Sequence, residues 1–265
     1  MRLILSLFFI TGLLEGCGRA PNSGNPLSIL LGQLDPACPE PARVRAAQEL
    51  RQLGTNAFPL LVAEMNSFRW HTPEERDETI VSRTRRLREA FQVIGTNLAP
   101  LIPEFLANLD TNRNFVSALD GLAATGELGV RHIVEAVTNQ QSPIRLNAIA
   151  TVMKLGTNSD TARLAVPNLI LLFKDPSAII RSLSTEAVGL LCDQQSACLS
   201  PLLRVARADP DLVVRTQAIK AIWRIHIRLG HTGPDTIAVL EEISKTDESQ
   251  AVRSCAERFL AGKQP

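Results

Sequence analysis

Cysteine, histidine and recurring Asp/Arg pairs are the residues of this chain whose types and spacing could do chemistry. The cysteines are Cys17, Cys38, Cys192, Cys198 and Cys255. No two stand at Cys-x-x-Cys spacing and no His lies at ligand spacing from any of them, so no metal centre, haem or other cofactor is expected. Cys192 and Cys198 bracket one inter-helix turn; in an oxidising compartment they can close a small disulfide loop, and otherwise they remain two thiols. Cys38 and Cys255 lie too far apart along the chain's repeats to pair. His132 and His226 fall on apolar faces and His231 in a turn; without ligand partners, all four histidines, His71 included, read as structural. Asp175 with Arg181, Asp209 with Arg215 and Asp247 with Arg253 each stand six residues apart, and Asn139 with Arg145 is a near match. One such pair could suggest a catalytic ion pair, whereas regular recurrence predicts a structural device. A Gly-rich phosphate loop, a Gly-x-Ser-x-Gly elbow and a His-Glu-x-x-His helix are all missing from the sequence, and a non-enzyme is expected.

The elements that would hold these residues follow from the same recurrence. Behind each Arg, small or apolar side chains return at helical spacing: Ala148, Val152 and Leu155 after Arg145, and Ala218, Ile222 and Ile225 after Arg215. Aligning on the Arg position gives Arg43, Thr84, Phe115, Arg145, Arg181, Arg215 and Arg253, at intervals of 41, 31, 30, 36, 34 and 38 residues. Eleven residues further on stand Gly54, Gly95, Gly126 and Gly156, then Cys192 and His226. A Gly there reads as a helix C-cap, and Thr or Asn in the Gly-Thr-Asn phrases beginning at Gly54, Gly95 and Gly156 can cap the next helix. Each unit therefore reads as helix, turn, helix. Expected outer helices are Phe58 to Met65, Ala99 to Leu109, Val130 to Val137, Ala162 to Phe173, Leu199 to Ala206 and Asp235 to Ile243. Inner helices start near Pro41, Thr79, Asn114, Pro143, Pro176, Pro210 and Glu248, with Pro143, Pro176 and Pro210 in first turns.

With Asp-Pro-x-x-x-Val/Ile-Arg at the head of its inner helices, the chain resembles the HEAT-repeat family from roughly Pro26 to Leu260. The resemblance implies an all-α fold, a right-handed α-solenoid of about seven stacked helical hairpins, occupying 26–265. It also implies a ladder in which Asp and Arg of neighbouring repeats fix the stacking: Asn139, Arg145, Asp175, Arg181, Asp209, Arg215, Asp247 and Arg253. Thr84 and Phe115 depart from it, so the second and third inner helices should stack less regularly.

Met1-Arg2 followed by the apolar run Leu3 to Leu14 is a signal-peptide pattern, assigned to 1–16, and is too short for the roughly 20 residues of a transmembrane helix. Leu14-Glu15-Gly16-Cys17 resembles the bacterial lipobox, with Glu15 as its departure. The resemblance implies lipid on Cys17, a protein of the bacterial cell envelope facing the periplasm, and Gly18 favouring the outer membrane; ordinary secretion with cleavage near Ala20 is the alternative. The Asn, Ser, Gly and Pro content of 17–25 reads as a tether.

Function must then be sought on surfaces. Lys plus Arg total 28 against 27 Asp plus Glu, and Tyr is absent, which disfavours nucleic acid and leaves the lipid anchor as the membrane contact. A protein or peptide partner is expected along the inner-helix groove, at Arg45, Arg86, Glu89, Lys154, Lys220 and Arg224, which helical spacing puts off the apolar stripe. The longest interval adds Arg69, Trp70 and His71, because insertions in repeat arrays often bind; the alternative there is a longer inner helix in which Phe68 and Trp70 plug a gap. Two other readings stay open: a HEAT-like enzyme of the lyase or glycosylase type, which rests on fold analogy, and a structural spacer.

Overall fold

The computed structural model describes residues 26–68, 78–111, 114–156, 159–193, 195–230 and 233–265. Every regular element among them is helical. The expected signal sequence, Cys17, the expected tether, Arg69, Trp70 and His71 lie outside the described residues.

The chain divides into two compact units, Met1–Gly129 and Val130–Pro265. In the first, α1 (Pro26–Gln33), α2 (Glu40–Leu53), α3 (Phe58–Asn66), α4 (Glu78–Ile94), α5 (Ile102–Asp110) and α6 (Phe115–Ala124) precede the start of α7 (Glu127–Ala136). The inner helices α2, α4 and α6 pack in succession, α4 against both neighbours, and α5 backs α6. Their contacts are made by a fully buried stripe of Ala46, Leu50, Leu87, Ala90, Phe91, Ala118 and Leu122. Phe91 meets Phe105 edge to face at a centroid distance of 5.3 Å. Gly121 makes room for that pair, since a Cβ there would sit 2.5 Å from the Phe105 ring.

The second unit continues with α8 (Ser142–Leu155), α9 (Asp160–Arg163), α10 (Val166–Leu171), α11 (Ala178–Leu191), α12 (Gln195–Ala208), α13 (Leu212–Leu229), α14 (Pro234–Thr246) and α15 (Gln250–Leu260). Inner helices α8, α11, α13 and α15 stack one on the next, while α10, α12 and α14 each back the inner helix that follows them. The closest approach is between α11 and α13, where a Cβ on Gly189 would lie 2.8 Å from Cα and Cβ of Ala221. Only a residue without a side chain allows that spacing.

Several local expectations need correction. Gly54 and Gly156 do cap α2 and α8, and Gly54, Gly95, Gly126 and Gly156 all have positive φ, but with ψ of −130° at Gly54 and −154° at Gly156 those two caps are not left-handed helical. That backbone belongs to glycine almost alone. Thr55 and Asn56, and Thr96 and Asn97, cap nothing: the chain runs through 3-10 turns, Gly54–Ala57 and Gly95–Leu101, straight into α3 and α5. Pro176 and Pro210 precede their helices, whose N-caps are Ser177 and Asp211. The helix expected over Ala162 to Phe173 is broken into α9, α10 and a 3-10 turn, Leu172–Lys174. Ser159 caps α9 by accepting from Ala162 N, and Pro167 opens α10 in its first turn, so two start signals stand within what apolar periodicity reads as one helix.

Candidate functional site

The Asp-Pro phrase works as a turn that aims a guanidinium. Asp175 Oδ1 accepts from Ser177 N at 2.8 Å, Asp209 Oδ1 from Asp211 N at 2.9 Å and Asp247 Oδ1 from Ser249 N at 2.8 Å. These are Asx turns; Pro176 and Pro210 supply the fixed φ after Asp175 and Asp209, and Glu248 takes that place after Asp247. The Arg six residues on turns back: Nη1 of Arg181 donates to Asp175 O at 2.9 Å, and Nη1 of Arg215 to Asp209 O at 2.8 Å. The rest of each guanidinium reaches the next turn. Arg181 donates from Nε and Nη2 to Asp209 Oδ2 and Oδ1 at 2.8 and 3.0 Å; Arg215 does the same to Asp247 at 2.9 and 3.0 Å. Arg145 Nη2 reaches Asp175 Oδ2 at 2.9 Å. Hydrogen bonding to the carboxylate raises Arg181 and Arg215 above the usual guanidinium range, against the desolvation that opposes it. Asn139 keeps the turn, accepting from Gln141 N at 2.9 Å, and Arg253 keeps the return bond to Asp247 O at 2.6 Å. The eight positions thus form three rungs plus the two flanking turns, all in the second unit.

The first unit is braced differently. Thr84 and Phe115, at the Arg position, are buried. Asn114 Nδ2 donates to Met65 O at 3.1 Å and Asn108 Nδ2 to Asn66 Oδ1 at 3.1 Å, while Arg88 joins Asp120 at 2.8 Å. Asp35 accepts from Ala37 N at 3.0 Å and from Arg86 Nε at 3.3 Å. Burial works to raise the Asp35 carboxyl, but these two donors prevail and hold it below the ordinary carboxylate range. Arg83 joins Glu64 at 2.8 Å and lies over the Phe68 ring at 4.4 Å.

Expected groove residues divide by whether they are already engaged. Arg45 and Lys154 are exposed, and Glu89 and Lys220 are half-buried. Arg86 is committed to Asp35, and Arg224 donates to Glu186 at 3.1 Å. Trp223 packs with Phe259 at 5.1 Å and with His226 at 5.6 Å, as part of the interior between α13 and α15. His132 is half-exposed, with Nδ1 3.3 Å from Glu135. No group of three or more His, Cys, Asp or Glu able to hold a metal occurs among the described residues.

Cys192 and Cys198 form a disulfide with Cα atoms 6.5 Å apart. Cys255 is a buried free thiol whose pKa burial pushes up. Cys38 is buried, its Sγ 3.4 Å from Gly32 O. Arg228, which sequence reasoning missed, clamps the end of α11 by donating to Leu190 O at 2.6 Å and to Cys192 O. Its place in the last turn of α13 is the only sequence signal for it.

Fold and ladder together define a class: paired helices stacked inner on inner, with Arg and Asp of successive turns as cross-braces. Residues 166–261, spanning α10 to α15, match the family described as HEAT repeats. That family generally serves as a protein-interaction scaffold and is typically non-catalytic. No curated protein matches the chain significantly.

Proposed function

We propose that the protein is a non-catalytic interaction module of the bacterial cell envelope, anchored by lipid on Cys17 through the tether 17–25, that binds a protein or peptide along its inner helices. The observation that carries this reading is the HEAT-type stack over 166–261, whose rungs give a preformed face at low ordering cost. The sequence repeat extends the same plan to about seven hairpins of a right-handed solenoid over 26–265. Lys154 and Lys220, without carboxylate partners among the described residues, are two of the cations on that face. Crosslinking the mature protein in envelope extracts tests the reading: a recurrent partner lost in Lys154→Glu/Lys220→Glu supports it, and capture indifferent to that change removes the inner face.

Anchoring is tested separately by intact mass of the membrane-fraction protein. A chain starting at Cys17 with added acyl mass, lost in Cys17→Ala, is the expected result. A Cys17 thioether leaves no thiol for a disulfide with Cys38, so a soluble chain in which those two cysteines are joined overturns the anchor.

A further inference from the structure

Outer helices α12 and α14 pack together, whereas α10 makes only marginal contact with α12. The break after α9 leaves α10 six residues long, too short to fill the space beside α12. Two hollows occupy the gap, of about 630 Å³ toward the ends of the two helices and about 590 Å³ toward their beginnings. Ile170 lines both, so the two hollows adjoin at its side chain and together make the cleft between α10 and α12. Leu164 and Leu171, 61% and 66% exposed, stand in its two halves, and Phe173 and Val205 complete the apolar lining at the larger end. Exposed aliphatic side chains in a concave setting of this kind mark an interaction site. The cleft is also preformed, since the Cys192–Cys198 disulfide ties the start of α12 to the end of α11, which Arg228 of α13 holds in turn.

Charge selects the occupant. At the larger end Lys174 and Arg204 stand exposed without a carboxylate partner among the described residues, because Asp175 and Asp209 there are consumed by the rungs. The other end carries Asp160, Arg163 and Asp193; Arg163 Nη1 donates to Asp160 at 2.9 Å, so Asp193 is the carboxylate left to face an occupant. From Leu164 to Lys174 the cleft runs about 15 Å, three turns of helix at 1.5 Å per residue. We propose that the cleft between α10 and α12 receives an amphipathic helix of a partner protein, aliphatic at i, i+3 or i+4 and i+7, with acidic residues in its last turn against Lys174 and Arg204. That orientation sets the negative end of the occupant's dipole at the cations and its positive end toward Asp193. The proposal rests on the reading of a partner-binding module and moves the contact from the inner helices to an outer cleft.

The test uses the full mature chain and a fluorescein-labelled peptide of roughly 14 residues, leucine at those positions, lysine in the first turn and glutamate in the last, followed by anisotropy. Saturable binding is expected, weakened at least about tenfold by Leu171→Glu. Lys174→Glu with Arg204→Glu should weaken it too and favour the peptide with its charges reversed. All three side chains are exposed, and unchanged circular dichroism verifies folding of the variants. Equal affinity for the two peptides, indifference to Leu171→Glu, or no saturable binding overturns the proposal. So does a cleft filled instead by a second copy, seen as self-association abolished by Leu171→Glu, or by a fatty acid that displaces no peptide. Failure of the peptide assay with partner capture still lost in Lys154→Glu/Lys220→Glu removes the cleft alone; failure of both removes the module.

Discussion

Arg215 and Asp247 are the most deeply buried pair of the ladder, their side chains 5% and 6% exposed. Desolvation of two charges is repaid by a forked hydrogen bond and by the return bond to Asp209 O, so removing one partner strands the other. Asp247→Ala should cost about 3–5 kcal/mol in a urea melt, and Arg215→Met with Asp247→Leu should cost clearly less; equal losses would mean the charge is not what matters. Asp35 makes a pH-dependent contribution. Its folded pKa is depressed, so the stabilisation is complete above the unfolded value near 3.8 and disappears as pH falls through the folded value. The unfolding free energy of the first unit should fall on acidification below about pH 4, less steeply in Asp35→Asn, and an identical pH profile in the variant would contradict the assignment. These residues differ in how visible they were. The ladder could be read because Asp, Pro and Arg recur at fixed spacing, whereas Asp35 meets Arg86 across 51 positions, with no repeat to announce it.

At the scale of elements, helix existence followed from apolar periodicity and most inner starts fell within two residues of where the structure has them. What periodicity did not carry was the backbone between turns. Ala162, Leu169 and Leu172 keep a helical rhythm of buried positions across the break between α9 and α10, because side-chain burial is blind to whether the axis is continuous. The cleft beside α12 is a product of that break, and so the sequence held no sign of it. One wall of the cleft depends on the Cys192–Cys198 loop, whose sequence separation is six. Closing so small a loop stabilises by about 2 kcal/mol in the chain-entropy account. Cys192→Ser with Cys198→Ser should lower stability by that amount and increase amide exchange in the first turns of α12. Unchanged exchange there would show that the disulfide does not hold the start of α12.

For the whole molecule, the two units differ in how their interiors are satisfied. The second unit carries all three rungs; among the described residues, the first buries Arg43 Nε, Thr84 Oγ1, Asn108 Oδ1, Asn114 Oδ1 and Ser117 Oγ with no hydrogen-bond partner, against Arg145 Nε, Arg224 Nη1 and His226 Nδ1 in the second. Each such orphan costs about 1–3 kcal/mol against a satisfied group, and in arrays of stacked hairpins stability is close to a sum of local terms. The loss of the Asp/Arg phrase at Thr84 and Phe115 is the sequence counterpart of this difference, since Asn side chains reaching backbone and other Asn replace it. Opening should therefore be easier in the first unit. Hydrogen exchange followed by mass spectrometry should give amides of α4 and α6 an opening free energy lower, by at least about 1 kcal/mol, than those of α11 and α13. Equal or greater protection in α4 and α6 would mean that buried apolar packing around Phe91 and Phe105 outweighs the unsatisfied polar groups, and that the ladder orients the hairpins without setting their relative stability.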